Sequence, residues 1–261
     1  MIHVSNLSRY EFCPRTIYLK DVAGLTPAPS VEKEKGLVGH AIRKELSLRQ
    51  AKVVGKISDA GELESFLLDE LELILSDAPH IYREKLEVLD YDRYASELRP
   101  EIKREIKVLT KHLKAFIDEA GLKKAIKMIT PVKVEYIIRS DELGLSGKID
   151  KLMEDDGKMI PVEIKTGKVG EGVWTGDRIQ VCGYVLLAEQ EFGKHIPYGY
   201  VEYTRLCEKK PVLATEKLRR QVLEVRDKVA DILNGAVPEI CPHGSGKKCE
   251  SCGLKEECYS I

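Results

Sequence analysis

The sequence predicts an α/β protein: a mixed central sheet flanked by helices, with a helical insert and a C-terminal cysteine-rich clasp. Three observations predict it. Helix-like amphipathic segments fill the first half of the chain, β-rich apolar runs begin after Pro131, and three cysteines crowd into the last thirteen residues.

Taken in order, residues 5–20 read as helix, with Ser5 as cap and Pro14 opening a second turn after Cys13. A proline-containing loop covers 26–30, and an amphipathic helix carrying His40 covers 31–50. Residues 61–76 and 99–120 are helical. Three strands follow at 132–138, 143–153 and 159–165, the last two joined by a turn at Asp155-Asp156-Gly157. A helix at 177–192, strands at 198–205 and 212–215, and a helix at 216–233 ended by Asn234-Gly235 complete the core. The chain divides into N-terminal helices (1–50), a helical insert (51–130), a sheet core (131–235) and a cysteine-rich tail (236–261) that packs with the N-terminus.

The 261 residues are 43% hydrophobic and carry a net charge of -1, so any polyanion must be met by local rather than global positive charge. Residues 57–98 hold twelve acids against three Lys/Arg, and residues 99–127 hold nine Lys/Arg against four acids. Such runs usually face solvent; the functional alternative is a basic arm for a DNA strand. No apolar run is long enough for a bilayer and no signal-peptide core is evident, so a cytoplasmic protein without membrane contact is expected.

The chemistry concentrates between Gly147 and Lys165. Asp150 and Glu163 each interrupt an apolar strand, and a buried carboxylate is costly unless paired or bound to metal. Two carboxylates and the Ile164 carbonyl suit Mg²⁺ or Mn²⁺, which prefer oxygen ligands. Lys165, two residues from Glu163, projects from the same face and could orient water or stabilise phosphate charge. The bland alternative is an Asp/Glu/Lys ion-pair cluster on an open sheet face. Gln180 and Tyr184 share one helix face, where they could meet a phosphate or base. His40 would complete a metal shell, and Glu135 is a further carboxylate from the preceding strand.

Cys249, Cys252 and Cys258 have metal-ligand spacing. Cys241 could close a local zinc knuckle, or Cys13 could reach across and close an iron–sulfur site; spacing leaves both open. Cys182 and Cys207 read as ordinary thiols.

The ordered set His40, Asp150, Glu163-Ile164-Lys165 and Gln180-x-x-x-Tyr184 resembles the RecB-type nucleases of the PD-(D/E)xK superfamily, which share a restriction-endonuclease-like core. Adding Cys13-Pro14-Arg15 and Cys249-x-x-Cys252-x5-Cys258, the chain is similar to the CRISPR-associated exonucleases of the spacer-acquisition module. That resemblance implies Mn²⁺ or Mg²⁺ on His40, Asp150, Glu163 and the Ile164 carbonyl. It implies Lys165 as catalytic lysine, with Asp150 and Glu163 as its catalytic partners and Gln180 and Tyr184 on DNA. It implies a [4Fe–4S] cluster on Cys13, Cys249, Cys252 and Cys258, with zinc or a smaller cluster as alternatives because Cys241 is a spare thiol. Expected substrates are single-stranded DNA or overhangs, trimmed before integration. Expected partners are the CRISPR integrase and its small companion subunit, and ring-forming relatives leave a homo-oligomer open. Rival readings are a stand-alone RecB-like repair nuclease and a non-catalytic nucleic-acid-binding scaffold with the same fold.

Overall fold

The computed structural model describes residues 1–83, 86–167, 170–240, 246–250 and 252–260. A short strand, β1 (Ile2–His3), leads directly into α1 (Val4–Phe12). Ile2 and His3 pair with Leu145 and Ser146, which holds His3 extended. His3 therefore takes the cap position, and Ser5 lies inside the helix instead of capping it. The helical run resumes after Cys13 as α2 (Arg15–Ile17) and a π-helical turn over Tyr18–Val22. Ser30 caps α3 (Val31–Val54), accepting from the Lys33 N–H at 3.4 Å.

A helical layer follows: α4 (Leu63–Ile81), α5 (Tyr91–Ala120) and α6 (Leu122–Ile129). Its apolar cluster joins Val38 and Ile42 of α3 to Leu67, Leu71, Leu98, Ile102 and Ile106. Helix α5 starts eight residues before the expected position 99. Asp90 caps it, accepting from the Arg93 N–H at 3.1 Å, and Pro100 lies in its interior. The buried face Ala95, Leu98, Ile102, Ile106 runs straight past the proline, and burial of that face outweighs one missing hydrogen bond.

The sheet has six strands. Antiparallel β2 (Lys133–Ser140), β3 (Leu145–Asp155) and β4 (Lys158–Lys165) are followed by α7 (Thr175–Phe192). Strand β5 (Tyr198–Tyr203) then runs parallel to β4, and β6 (Glu208–Leu213) folds back on it. The order is β1-β3-β4-β5-β6, with β2 also on β3, so the sheet is mixed as predicted. The β3–β4 turn holds Asp156 at φ 49° and Gly157 at φ 71°, two successive left-handed residues as a two-residue hairpin with native twist requires. Helices α1, α7 and α8 (Glu216–Leu233) share the sheet's apolar cluster. Two short helices, α9 (Gly246–Glu250) and α10 (Lys255–Ser260), end the described chain. Among the described residues no helix is long and apolar enough to cross a membrane.

Candidate active site

Strand β3 loses its regular pairing at one point. It pairs with β2 at Val134↔Lys151 and Tyr136↔Ile149, and with β4 as far as Lys151↔Val162, so Asp150 lies outside both runs. Freed from the ladder, Asp150 accepts the Ile164 N–H on Oδ2 at 2.8 Å, replacing a strand contact with a side-chain one. Across the gap Glu135 has φ 51°. A left-handed backbone costs a non-glycine residue about 1–3 kcal/mol, and such strain gathers at functional sites.

Glu163 leaves β4 toward α7. Its Oε1 accepts from Gln180 Nε2 at 2.7 Å and lies 3.1 Å from Lys165 Nζ. Lys165 also donates to Gln180 Oε1 at 2.8 Å and pairs with Asp177 Oδ1 at 3.3 Å. Gln180 Nε2 is 3.3 Å from the Tyr184 hydroxyl. Spacing two on a strand and spacing four on a helix thus meet at one point, as the sequence pattern required. Asp177, in the first turn of α7 and three residues before Gln180, is a site residue the sequence reading missed.

Helix α3 supplies the opposite wall. His40 Nδ1 lies 2.9 Å from Thr166 Oγ1, which leaves Nε2 as the ring nitrogen without that tie. One turn further, Lys44 Nζ lies 2.5 Å from Asp150 Oδ1 and 2.6 Å from Glu135 Oε1. Lys148 pairs with the other oxygen of Glu135. Lys44 was not anticipated, although its i, i+4 relation to His40 put it on the same face.

The electrostatics separate the carboxylates by role. Burial, then the nearby Asp150 charge, pushes Glu163 up to about 7. Burial alone would lower Lys165, but Glu163 and Asp177 outweigh it and hold the ammonium above its ordinary range. Lys165 is therefore held as an ammonium. Lys44 behaves likewise: burial works against its charge, and Asp150 and Glu135 more than restore it. His40 is lowered by burial and then by Lys44, so its ring is neutral and able to coordinate. Burial also raises Tyr184, keeping its hydroxyl protonated.

The donor set suits a hard divalent cation: two buried carboxylates, a strand carbonyl at Ile164 and a neutral imidazole. Among the described residues no three His, Cys, Asp or Glu side chains converge as a ready metal nest. A cation is nevertheless drawn to this point, because the Lys44 ammonium bridges Asp150 and Glu135.

Cys13, Cys249, Cys252 and Cys258 line one small cavity between the N-terminal turn and the tail. Burial, and to a smaller degree the charges of Cys252 and Cys258, raise the Cys13 thiol. Buried Arg15 ties the two ends together. Its Nε donates to Cys258 Sγ at 3.1 Å, and its other nitrogens donate to Pro238 O at 2.6 Å and Cys258 O at 3.0 Å. Four thiols on one cavity are the donor type a thiophilic metal or cluster takes, although among the described residues they are not gathered into a metal-holding group. Cys241 lies outside the described residues. Cys182 is buried in α7, and Cys207 is half-buried beyond β5.

Acids where two strands part, with a lysine two residues on, suit a metal-dependent hydrolase of phosphodiesters. The sequence pattern of the PD-(D/E)XK nuclease superfamily matches residues 2–259, and the chain belongs to that superfamily. An uncharacterized protein of Archaeoglobus fulgidus is 31% identical over 152 residues, 56% of this chain and 68% of that protein. A Rhodospirillum rubrum protein named CRISPR-associated exonuclease Cas4 is 34% identical over 125 residues, 46% of this chain and 37% of its own length. A Leptospira interrogans protein named as a fusion of that exonuclease with endonuclease Cas1 is 29% identical over 125 residues, 46% of this chain and 23% of the fusion. The chain thus spans well under two thirds of both named relatives.

Proposed function

We propose that this nuclease trims single-stranded DNA ends in CRISPR spacer acquisition, with Asp150, Glu163 and Lys165 as its catalytic group. The observation that carries the reading is the parting of β3 from its neighbours at Asp150, which leaves a buried carboxylate close enough to Glu163 to raise it. His40, Asp150, Glu163 and the Ile164 carbonyl are the residues that would hold Mn²⁺ or Mg²⁺. When bound, such an ion supplies Lewis-acid polarisation of the phosphate and lowers the pKa of a nearby water.

The protein's own groups do the rest. Lys165, kept charged by Glu163 and Asp177, stabilises negative charge growing on the phosphate oxygens as the new P–O bond forms and the old one breaks. Gln180 fixes both Glu163 and Lys165, using its carbonyl on one and its amide nitrogen on the other. Tyr184, protonated and one turn further, is a hydroxyl donor for the DNA strand.

Arg104, Lys107, Lys111 and Lys114 follow each other at three- and four-residue spacing on α5, are exposed, and make no ion pair among the described residues. Only Arg99 and Lys103 of this basic run reach an acid of α4, at Glu72. That stripe supports the basic-arm reading, with sequence-independent grip on phosphates. The name of the fused Leptospira relative, which joins the exonuclease to endonuclease Cas1, supports the CRISPR integrase as a partner, and the companion subunit follows only from the resemblance. A [4Fe–4S] cluster on Cys13, Cys249, Cys252 and Cys258 closes the chain ends; four thiols around one cavity support it.

One anaerobic preparation tests both centres. Digestion of 5′-labelled single strands with Mn²⁺ falls at least about 100-fold in Asp150→Ala and Lys165→Ala. Equal activity in all three proteins removes the site. The wild type is brown with iron and sulfide, and Cys13→Ala is bleached and less soluble. A colourless, zinc-loaded wild type overturns the cluster.

A further inference from the structure

We infer that Lys44 is a built-in counter-cation of the acidic centre, and that a divalent ion enters by displacing its ammonium from Asp150 onto Glu135. The inference rests on the proposed function, since it needs Asp150 to be a cation ligand.

The two oxygens of Asp150 are committed differently. Oδ2 accepts the Ile164 N–H at 2.8 Å and is tied to the backbone of β4. Oδ1 is held by Lys44 Nζ at 2.5 Å. Oδ2 already spends one lone pair on the strand contact, so an incoming ion takes Asp150 best through Oδ1, the oxygen Lys44 holds. An ammonium has only donors and cannot share that oxygen with a metal at bonding distance without strong repulsion. Ion and ammonium therefore compete for this atom.

Three features make the exchange feasible. The Lys44 side chain is 20% exposed, so it retains a path to water, whereas the Asp150 side chain is 7% exposed and keeps its position. Lys44 already touches Glu135 Oε1 at 2.6 Å, so its second partner persists when the first is lost. Glu135 is held toward the gap by a left-handed backbone at φ 51°, a conformation that needs a reason in a non-glycine residue. A place for the displaced ammonium supplies one.

A buried carboxylate without a counter-charge is costly, so the lysine keeps the site ordered before the ion arrives. The same contact must weaken ion uptake, because the ion has to replace a favourable ion pair and not an empty position. Lys44 is thus a positioning residue that sets cation affinity.

The test is calorimetric titration of the full chain with MnCl₂, without DNA, beside thermal melting. Lys44→Met should bind Mn²⁺ about tenfold or more tightly than wild type, melt lower without Mn²⁺, and gain more from added Mn²⁺. Lys44→Gln, neutral but still hydrogen-bonding, should show the same direction and serves if the methionine variant does not fold. Lys44→Arg should bind about as the wild type does. Glu135→Gln, which removes the second partner, should bind more weakly. A folded Lys44→Met or Lys44→Gln that binds Mn²⁺ no better than wild type overturns the inference. Asp150→Ala separates the premises: if wild type takes up no Mn²⁺ that this variant loses, the cation site itself falls and the inference with it.

Discussion

Glu163 carries its proton to about pH 7 because it is buried beside Asp150, and the Lys165 and Lys44 charges do not outweigh that burial. An unfolded glutamate titrates near 4.5. Between those values the folded protein holds a proton that the unfolded chain releases. The resulting stabilisation is complete below about 4.5 and is lost as pH rises through about 7. Metal-free wild type should therefore lose stability relative to Glu163→Gln from about pH 5 to 8, with each kcal/mol moving the melting midpoint by about 2–4 °C. A cation competes with that proton, so Mn²⁺ affinity should weaken up to about tenfold per pH unit below about 7 and flatten in Glu163→Gln. Parallel melting curves for the two proteins across this range would remove the titration from Glu163. At this scale much of the centre was legible. Asp150 and Glu163 are acids inside apolar runs, and period-two and period-four spacing brings Lys165, Gln180 and Tyr184 to them. Lys44 and Asp177 were not legible, because each looks like ordinary helix-surface charge until the opposing strand is in place.

The elements hold the centre through one close approach, helix α7 against the sheet. A Cβ on Gly199 of β5 would lie 2.6 Å from Val181 Cγ1 and 2.9 Å from the Pro161 carbonyl, a backbone atom that cannot step aside. A Cβ on Gly147 of β3 would lie 2.6 Å from Tyr184 Cε1. The first contact fixes the height of α7, and the second fixes the tyrosine. Gly199→Ala should lower stability by about 1–3 kcal/mol through overpacking. Gly147→Ala should reduce nuclease activity more than it reduces stability, since its clash falls on a side chain at the site. Denaturant midpoints and digestion rates for the two variants check this; a Gly199→Ala protein as stable as wild type would show that α7 is free to lift. Long periodic elements such as α8 were legible to the residue, because helix spacing and the Asn234-Gly235 stop agreed. The start of α5 was not, because local signals at Pro100 compete with an apolar face that tertiary packing preserves. Strand β1 is two residues long and exists only because β3 lies beside it.

The whole molecule joins two apolar clusters, one around the sheet and one within helices α3 to α6, and a polar knot sits at their junction. Lys151 Nζ lies 3.0 Å from Glu202 and donates to Ser47 Oγ at 2.6 Å, while Ser47 also bonds Glu202. Both charged groups are almost fully buried. Burial pulls Lys151 below its ordinary range, whereas Glu202 stays below its own despite burial, held by Lys151, Lys209 and Ser47. Lys151 follows Asp150 in β3, and Glu202 of β5 pairs across from Ile164, so the knot ties β3 beside the site to β5 and to Ser47 of α3. Removing one partner leaves a buried charge unmatched, which costs about 3–5 kcal/mol, while replacing both by apolar groups can be neutral. Glu202→Ala should therefore lower the melting midpoint by roughly ten degrees, at about 2–4 °C per kcal/mol, and Lys151→Met/Glu202→Leu should recover most of it. If the knot also braces the site, the double variant will recover stability without recovering digestion, because an apolar pair restores burial and not the hydrogen bonds that fix strand and helix against each other. Full recovery of both would make the knot a packing device with no hold on the chemistry.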